Sequence, residues 1–205
     1  MGKGVRIAVM GFLPWREPER NRDVRENPAA IAANRSAVQL AEAGLDAVFV
    51  PVPVSGVGIT QAMERVRLLR AEVVVAVGQT PTAPRVEQFG RVPGAWAPVE
   101  PGEVEPWPLA PDAAALAAAL NALQDPAAET EPFTASDDAG GYYCDHLCVE
   151  LVREVRRRPM RARFLHVTEI DSCTRSVREA RLALYTRQIR AVVELLCADV
   201  TSAKV

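Results

Sequence analysis

The sequence predicts an α/β fold, a single domain over residues 1–205 with a largely parallel, twisted sheet sandwiched by helices. Three observations carry this expectation. Short apolar runs alternate along the chain with stretches whose apolar residues recur at helical spacing. One of the runs, "EVVVAVGQ" at 72–79, is continuously apolar and β-branched, the pattern of a strand buried on both faces. The length of 205 residues suits one domain with a full core, and neither an internal repeat nor a second domain is visible.

The elements follow in order. "VRIAVMGF" (5–12) reads as the first strand. "NPAAIAANRSAVQLAEAG" (27–44) reads as a helix, with Asn27 as N-cap, Pro28 at the first helical position and Gly44 at the end. "DAVFVPVPV" (46–54) is the next strand. "VGITQAMERVRLLR" (57–70) is a helix with Ile59, Met63, Val66 and Leu69 on one face. After the strand at 72–79, the proline-rich segment 92–112 is incompatible with regular helix and reads as a long loop or arm with short edge pairings. A helix at 112–125 starts at Asp112, a strand is expected at 129–136, a helix at 144–158 stopped by Pro159, and a strand at 161–170. The chain closes on one long helix that buries Val177, Leu182, Leu184, Ile189, Val192, Val193 and Leu196.

Composition narrows the function classes. A net charge of −2 disfavours nucleic acid or an anionic membrane as partner. The opening residues have no signal-peptide core, and no run approaches the ~20 apolar residues of a membrane helix, so a cytoplasmic location is expected. The four cysteines, Cys144, Cys148, Cys173 and Cys197, are then expected as reduced thiols.

In parallel sheets, ligands bind beyond the carboxyl ends of the strands. That rule brings Gly11–Trp15, Gly78–Glu87, Ser136–Cys144 and the surroundings of His166 to one rim. "AGGYYCDHLC" (139–148) supplies two cysteines and a histidine there. With only two histidines in the chain and no second cysteine pair, a zinc site is disfavoured, and the spacing is one residue too long for a C-x-x-C redox pair. Helical spacing puts Cys148 on an apolar face with Leu147, Leu151, Val152 and Val155, and His146 at the periphery. Cys144 falls in the first helical turn, where unpaired N–H groups favour a thiolate and could hold an oxyanion. An inert thiol in a tight turn fits the local sequence equally well. His166 interrupts an apolar strand near its carboxyl end, either as a structural histidine or as the base for Cys144. Glu87, beyond the 72–79 strand, is the best candidate for the acid that would orient it, and is otherwise a loop carboxylate.

In sequential order, "GFLPW" with "NP" (27–28), "VPV" after the second strand, "VGQ" with Val86–Glu87, "SDDAGGYYCDH" (136–146) and "FLHV" (164–167) resemble the pyroglutamyl peptidase I (pyrrolidone-carboxylate peptidase) family of cysteine peptidases. The resemblance spans most of the chain. It implies a phosphorylase/hydrolase-like fold and a Cys144–His166–Glu87 triad that removes an N-terminal 5-oxoproline from peptides through a thioester, with no metal or organic cofactor. It also implies a homodimer or homotetramer. Phe12, Trp15 and Gln79 stand at the family's substrate-binding positions. Other readings for them are a core aromatic for Phe12 and a strand-end amide for Gln79. Departures are concrete: "GQTPTAPRVE" (78–87) replaces a glycine-rich loop, Gln88 follows the glutamate in place of Arg, and Asp145 stands where Asn is usual. With Asp137 and Asp138 nearby, Asp145 is expected to oppose the thiolate. Two alternatives keep the same residues: a Cys-His-Glu amidohydrolase with another small acyl or lactam specificity, and a catalytically impaired binding homologue.

Overall fold

The computed structural model describes residues 4–17, 22–24, 26–90, 107–140 and 142–202. The chain forms β1 (Arg6–Phe12), β2 (Trp15–Glu17), β3 (Arg22–Val24), α1 (Pro28–Glu42), β4 (Asp46–Val52), α2 (Gly56–Leu69), β5 (Val73–Thr80) and β6 (Arg85–Glu87). It continues through β7 (Phe89–Gly90), β8 (Trp107–Pro108), α3 (Ala113–Asn121), β9 (Thr134–Ser136), α4 (Tyr143–Arg157), β10 (Arg161–Thr168) and α5 (Arg175–Ser202). Six strands form one sheet in the order β4-β1-β5-β10-β6-β9. The first four are mutually parallel, β6 runs antiparallel to β10, and β9 runs parallel to β6. The sheet is therefore largely parallel, as the alternation of strands and helices predicts.

Strand alternation sorts the core into two layers. Ile7, Val9, Val73, Val75, Val77, Leu165 and Val167 point to one face and pack against α1, α3 and α5. Ala8, Met10, Phe12, Val74, Ala76, Ala162 and Phe164 point to the other, where α2 and α4 cover them. β5, at the centre, is buried on both faces over Val73–Gly78.

Local chemistry sets the helix boundaries. The Asn27 side chain accepts from the Ala29 N–H at 2.9 Å, Pro28 occupies the first turn, and Gly44 turns the chain out of α1 at φ 86°. Alanines on α1 allow it to lie close on β1, so a Cβ on Gly11 would sit 2.7 Å from the Ala29 carbonyl oxygen. Ser55 caps α2 by accepting from Gly58 N–H at 3.0 Å. Asp112 stands before α3 without capping it. Its carboxylate instead takes the Arg163 guanidinium at 2.8 Å.

Several elements differ from expectation. α3 ends at Asn121 rather than 125, and the strand expected at 129–136 is confined to Thr134–Ser136. The shorter strand has a local cause. The Asn121 side chain accepts from Phe133 N–H at 2.7 Å and donates to Phe133 C=O at 2.9 Å, occupying the backbone groups that would extend the strand. β6 lies where a loop was expected. The proline-rich arm expected at 92–112 lies mostly outside the described residues; of its end, Trp107–Pro108 pairs with Phe89–Gly90. Among the described residues, no helix is long and apolar enough to cross a membrane.

Candidate active site

The carboxyl ends of β1, β5 and β10 meet at one rim. His166 lies opposite Gly78 of β5 on one side and Arg85 of β6 on the other. Directly opposed residues of an antiparallel pair share a face, and residues two apart on a strand do too. Arg85, Glu87 and His166 therefore project together onto the face covered by α2 and α4. His166 Nδ1–H donates to Glu87 Oε1 at 2.6 Å, with the two residues 2% and 0% exposed. A carboxylate only accepts, so Nδ1 carries the proton of this bond.

The imidazole is also held from its other side. Its ring meets Phe164 edge-on, with centroids 5.0 Å apart. A Cβ on Gly78 would fall 2.9 Å from His166 Cδ2 and 3.0 Å from Nε2. Glycine at 78 is what leaves room for the ring.

Cys144 enters in the first turn of α4. The Tyr142 side chain does not cap this helix, whose first backbone bond runs from His146 N–H to the Tyr142 carbonyl. β7 presses on the same helix so closely that a Cβ on Gly90 would be 2.9 Å from the Val149 nitrogen. The thiol borders the apolar layer that holds Phe12, Ala76 and Phe164. Burial pushes the Cys144 thiol well above its ordinary range; the charges of Glu87 and Asp145 add to this, and Arg85 opposes it. The helix start was expected to favour a thiolate, but desolvation and the two carboxylates outweigh it. Half-buried at this position, Cys144 is biased toward the protonated thiol. Asp145, 1% exposed, contributes with the sign expected from the sequence.

The other singled-out residues separate. Phe12 is buried, 3% exposed, on the same face as His166. Trp15 is half-buried and opens the β2–β3 hairpin opposite Val24. Gln79 follows Gly78 on β5, so alternation directs its side chain to the α1 face, away from the imidazole. There its Oε1 is buried without a hydrogen-bond partner among the described residues. Cys148 is fully buried, as its helical position predicts. His146 is not peripheral: it is 9% exposed and packs beside Gly56 at the start of α2, which keeps its pKa below the ordinary histidine range through burial. Gly141 lies outside the described residues. Among those described, no group of three or more His, Cys, Asp or Glu is placed to hold a metal ion.

Two contributors were not singled out from the sequence. Gly78 makes room for the ring, and Arg85 reaches three parts of the rim. Its Nε stands 3.6 Å from Glu87 Oε1, one terminal nitrogen donates to Thr80 Oγ1 at 3.2 Å, and the other donates to the Asp138 carbonyl at 3.4 Å. The one signal for Arg85 is its position two residues before Glu87, which matters only once 85–87 is known to be a strand.

No protein-family model matches the chain, and no curated protein matches it. Solved structures do. Pyroglutamyl peptidase I from Bacillus amyloliquefaciens aligns with a TM-score of 0.64 at 19% identity, over 93% of this chain and 95% of that one. Pyrrolidone carboxyl peptidase from Thermococcus litoralis aligns at 0.61 and 17% identity, over 93% of each chain. A mutant pyrrolidone carboxyl peptidase from the hyperthermophile Pyrococcus furiosus aligns at 0.64 and 15% identity, over 93% of this chain and 98% of that one. Near-complete coverage in both directions, with a largely parallel sheet covered on both faces, gives this chain the fold of the pyroglutamyl peptidase I structures.

Proposed function

We propose that the protein is a cysteine exopeptidase that hydrolyses the amide bond after an N-terminal pyroglutamyl residue. The observation that carries this reading is the buried 2.6 Å bond from His166 Nδ1 to Glu87 on the face where Cys144 enters. Likeness of fold to pyroglutamyl peptidase I structures supports it.

In this reading Cys144 rests as a thiol, so attack and proton transfer are coupled. Sγ bonds to the carbonyl carbon that follows the lactam ring as His166 Nε2 takes the thiol proton. Glu87 stabilises the imidazolium that forms and fixes the ring. The negative oxygen of the tetrahedral intermediate falls to the backbone N–H of Cys144 at the uncapped start of α4. His166 then gives its proton to the departing amine, leaving a thioester. Water, deprotonated by His166, attacks the thioester carbon; the thiolate leaves and regains the proton, and free pyroglutamate is released. The lactam is neutral, flat and mostly apolar, which suits the Phe12 side of the rim and an aromatic such as Trp15. Gln79 would serve through its backbone, since its side chain is directed to the other face.

Turnover of a pyroglutamyl-arylamide, lost in Cys144→Ser and after iodoacetamide with unchanged thermal melting, is the expected result. No turnover by the folded protein would overturn the reading. A second reading is favoured by the combined effect of Asp145 and burial on Cys144: a diverged amidohydrolase for another small acyl group or lactam, or a homologue that binds without turnover. A panel of N-terminally blocked dipeptides, assayed for both cleavage and binding, separates these from the first.

A further inference from the structure

We propose that Arg85 is a positioning residue of this site: one guanidinium joins the Glu87 carboxylate, the Thr80 hydroxyl at the end of β5 and the Asp138 carbonyl in the segment that leads to Cys144. The proposal rests on the peptidase reading for its consequence in turnover, and on geometry for its effect at the thiol.

Register, reach and charge converge on this side chain. The first is register. Arg85 is the residue directly opposite His166 on β6, and Glu87 lies two further along on the same face. The second is reach. Thr80 is 2% exposed and caps the strand that carries Gly78, while Asp138 precedes the turn into α4. Their two contacts and the 3.6 Å approach to Glu87 tie β5, β6 and the nucleophile loop to one rigid planar group. The Asp138 segment is itself braced, with Ser136 Oγ donating to the Asp138 carbonyl at 3.1 Å and Asp138 Oδ1 accepting from Gly140 N–H at 2.8 Å. The third is charge. The groups that act on Cys144 are Glu87 and Asp145, both of which disfavour a thiolate, and Arg85, which favours it. The arginine side chain is 26% exposed, so its charge is only partly screened by solvent. An acid that steadies the imidazolium necessarily opposes the developing thiolate beside it. Arg85 offsets that cost without taking the 2.6 Å hydrogen bond away from His166.

The test is site-resolved alkylation of Cys144 by iodoacetamide in the full chain, followed across pH by mass spectrometry, with pyroglutamyl-arylamide turnover measured in parallel. Arg85→Gln is expected to slow alkylation at a fixed mildly alkaline pH by roughly threefold, because losing a nearby cation raises the thiol's pKa. Arg85→Lys, which keeps the charge, is expected to recover part of the rate. If Arg85→Gln does not fold, Thr80→Val replaces it: it keeps every charge but removes one anchor of the guanidinium, and a smaller slowing in the same direction is expected. An alkylation profile superimposable on the parent's in the folded variant overturns the proposal, whatever the turnover. A shifted profile in a protein whose parent hydrolyses no pyroglutamyl-arylamide supports Arg85 and overturns the peptidase reading alone.

Discussion

Two helices begin at the same end of the sheet and are built in opposite ways. α1 starts closed. Asn27 is fully buried, its side chain takes the Ala29 N–H, Pro28 leaves no donor to satisfy, and β1 presses against the first turn at Gly11. α4 starts without a side-chain cap, with Tyr142 66% exposed and Cys144 in the first turn. Helix starts leave orphan donors that a protein normally covers locally. α1's start is thus closed by its own cap and by β1, whereas the Tyr142 side chain gives α4's start no such cap. A place in the first turn does not by itself favour a thiolate: burial and two carboxylates push the Cys144 pKa up in spite of it.

The comparison can be broken from either side. On the rim that α4 enters, Gly78→Ala puts a methyl group 2.9 Å from His166 Cδ2 and Phe164 Cζ and 3.0 Å from His166 Nε2. On the peptidase reading, a displacement of His166 on the order of 1 Å costs about 100-fold in kcat/KM, so pyroglutamyl-arylamide turnover should fall by that amount. At the closed start, Gly11→Ala meets backbone atoms of Ala29 and Ala30 at 2.7 and 2.8 Å, which cannot yield so easily. Denaturant unfolding should show a loss of roughly 1–3 kcal/mol, the usual cost of overpacking. Gly11→Ala with parent stability would undo the assignment of stability to the α1 start, and Gly78→Ala with parent turnover the assignment of chemistry to the rim around His166. The smallest effect sharpens it. Asp145→Asn removes a negative charge beside Cys144, so the thiol's pKa should fall and iodoacetamide alkylation at fixed pH should quicken about threefold or more, as expected when a like charge leaves a titrating site. An unchanged rate would leave burial as the dominant cause of the raised pKa.

Periodicity made the large elements legible. The β-branched run at 72–79 could only be a central strand, and Asn27, Pro28 and Gly44 marked α1 at both ends. Cys144 was accessible as a thiol at a strand-to-helix turn, and His166 as the polar interruption of an apolar strand. Glu87 needed both the rim argument and the family resemblance. What escaped depends on contacts between distant positions. "RVE" at 85–87 is too short for any periodic signal and becomes a strand only because β10 and β9 flank it. The β2–β3 hairpin is equally short. His146 looks peripheral on its own helix and is buried because the start of α2 packs beside it at Gly56. Asp112 has the residue type and position of a cap, yet a cation from β10 claims its carboxylate. In each case tertiary partners override a local preference that was correctly read.

The brevity of β6 has a further consequence. It is three residues long and pairs with β10 at two positions, Leu165 with Val86 and His166 with Arg85. Side chains alternate along a strand, so a slip of a single residue would turn Val86 to the imidazole and send Glu87 through to the opposite layer. No intermediate register gives a weaker hydrogen bond. Completion of the Glu87–His166 pair is thus a binary event, and a population of molecules would divide into those with the pair and those without it, rather than share a graded loss.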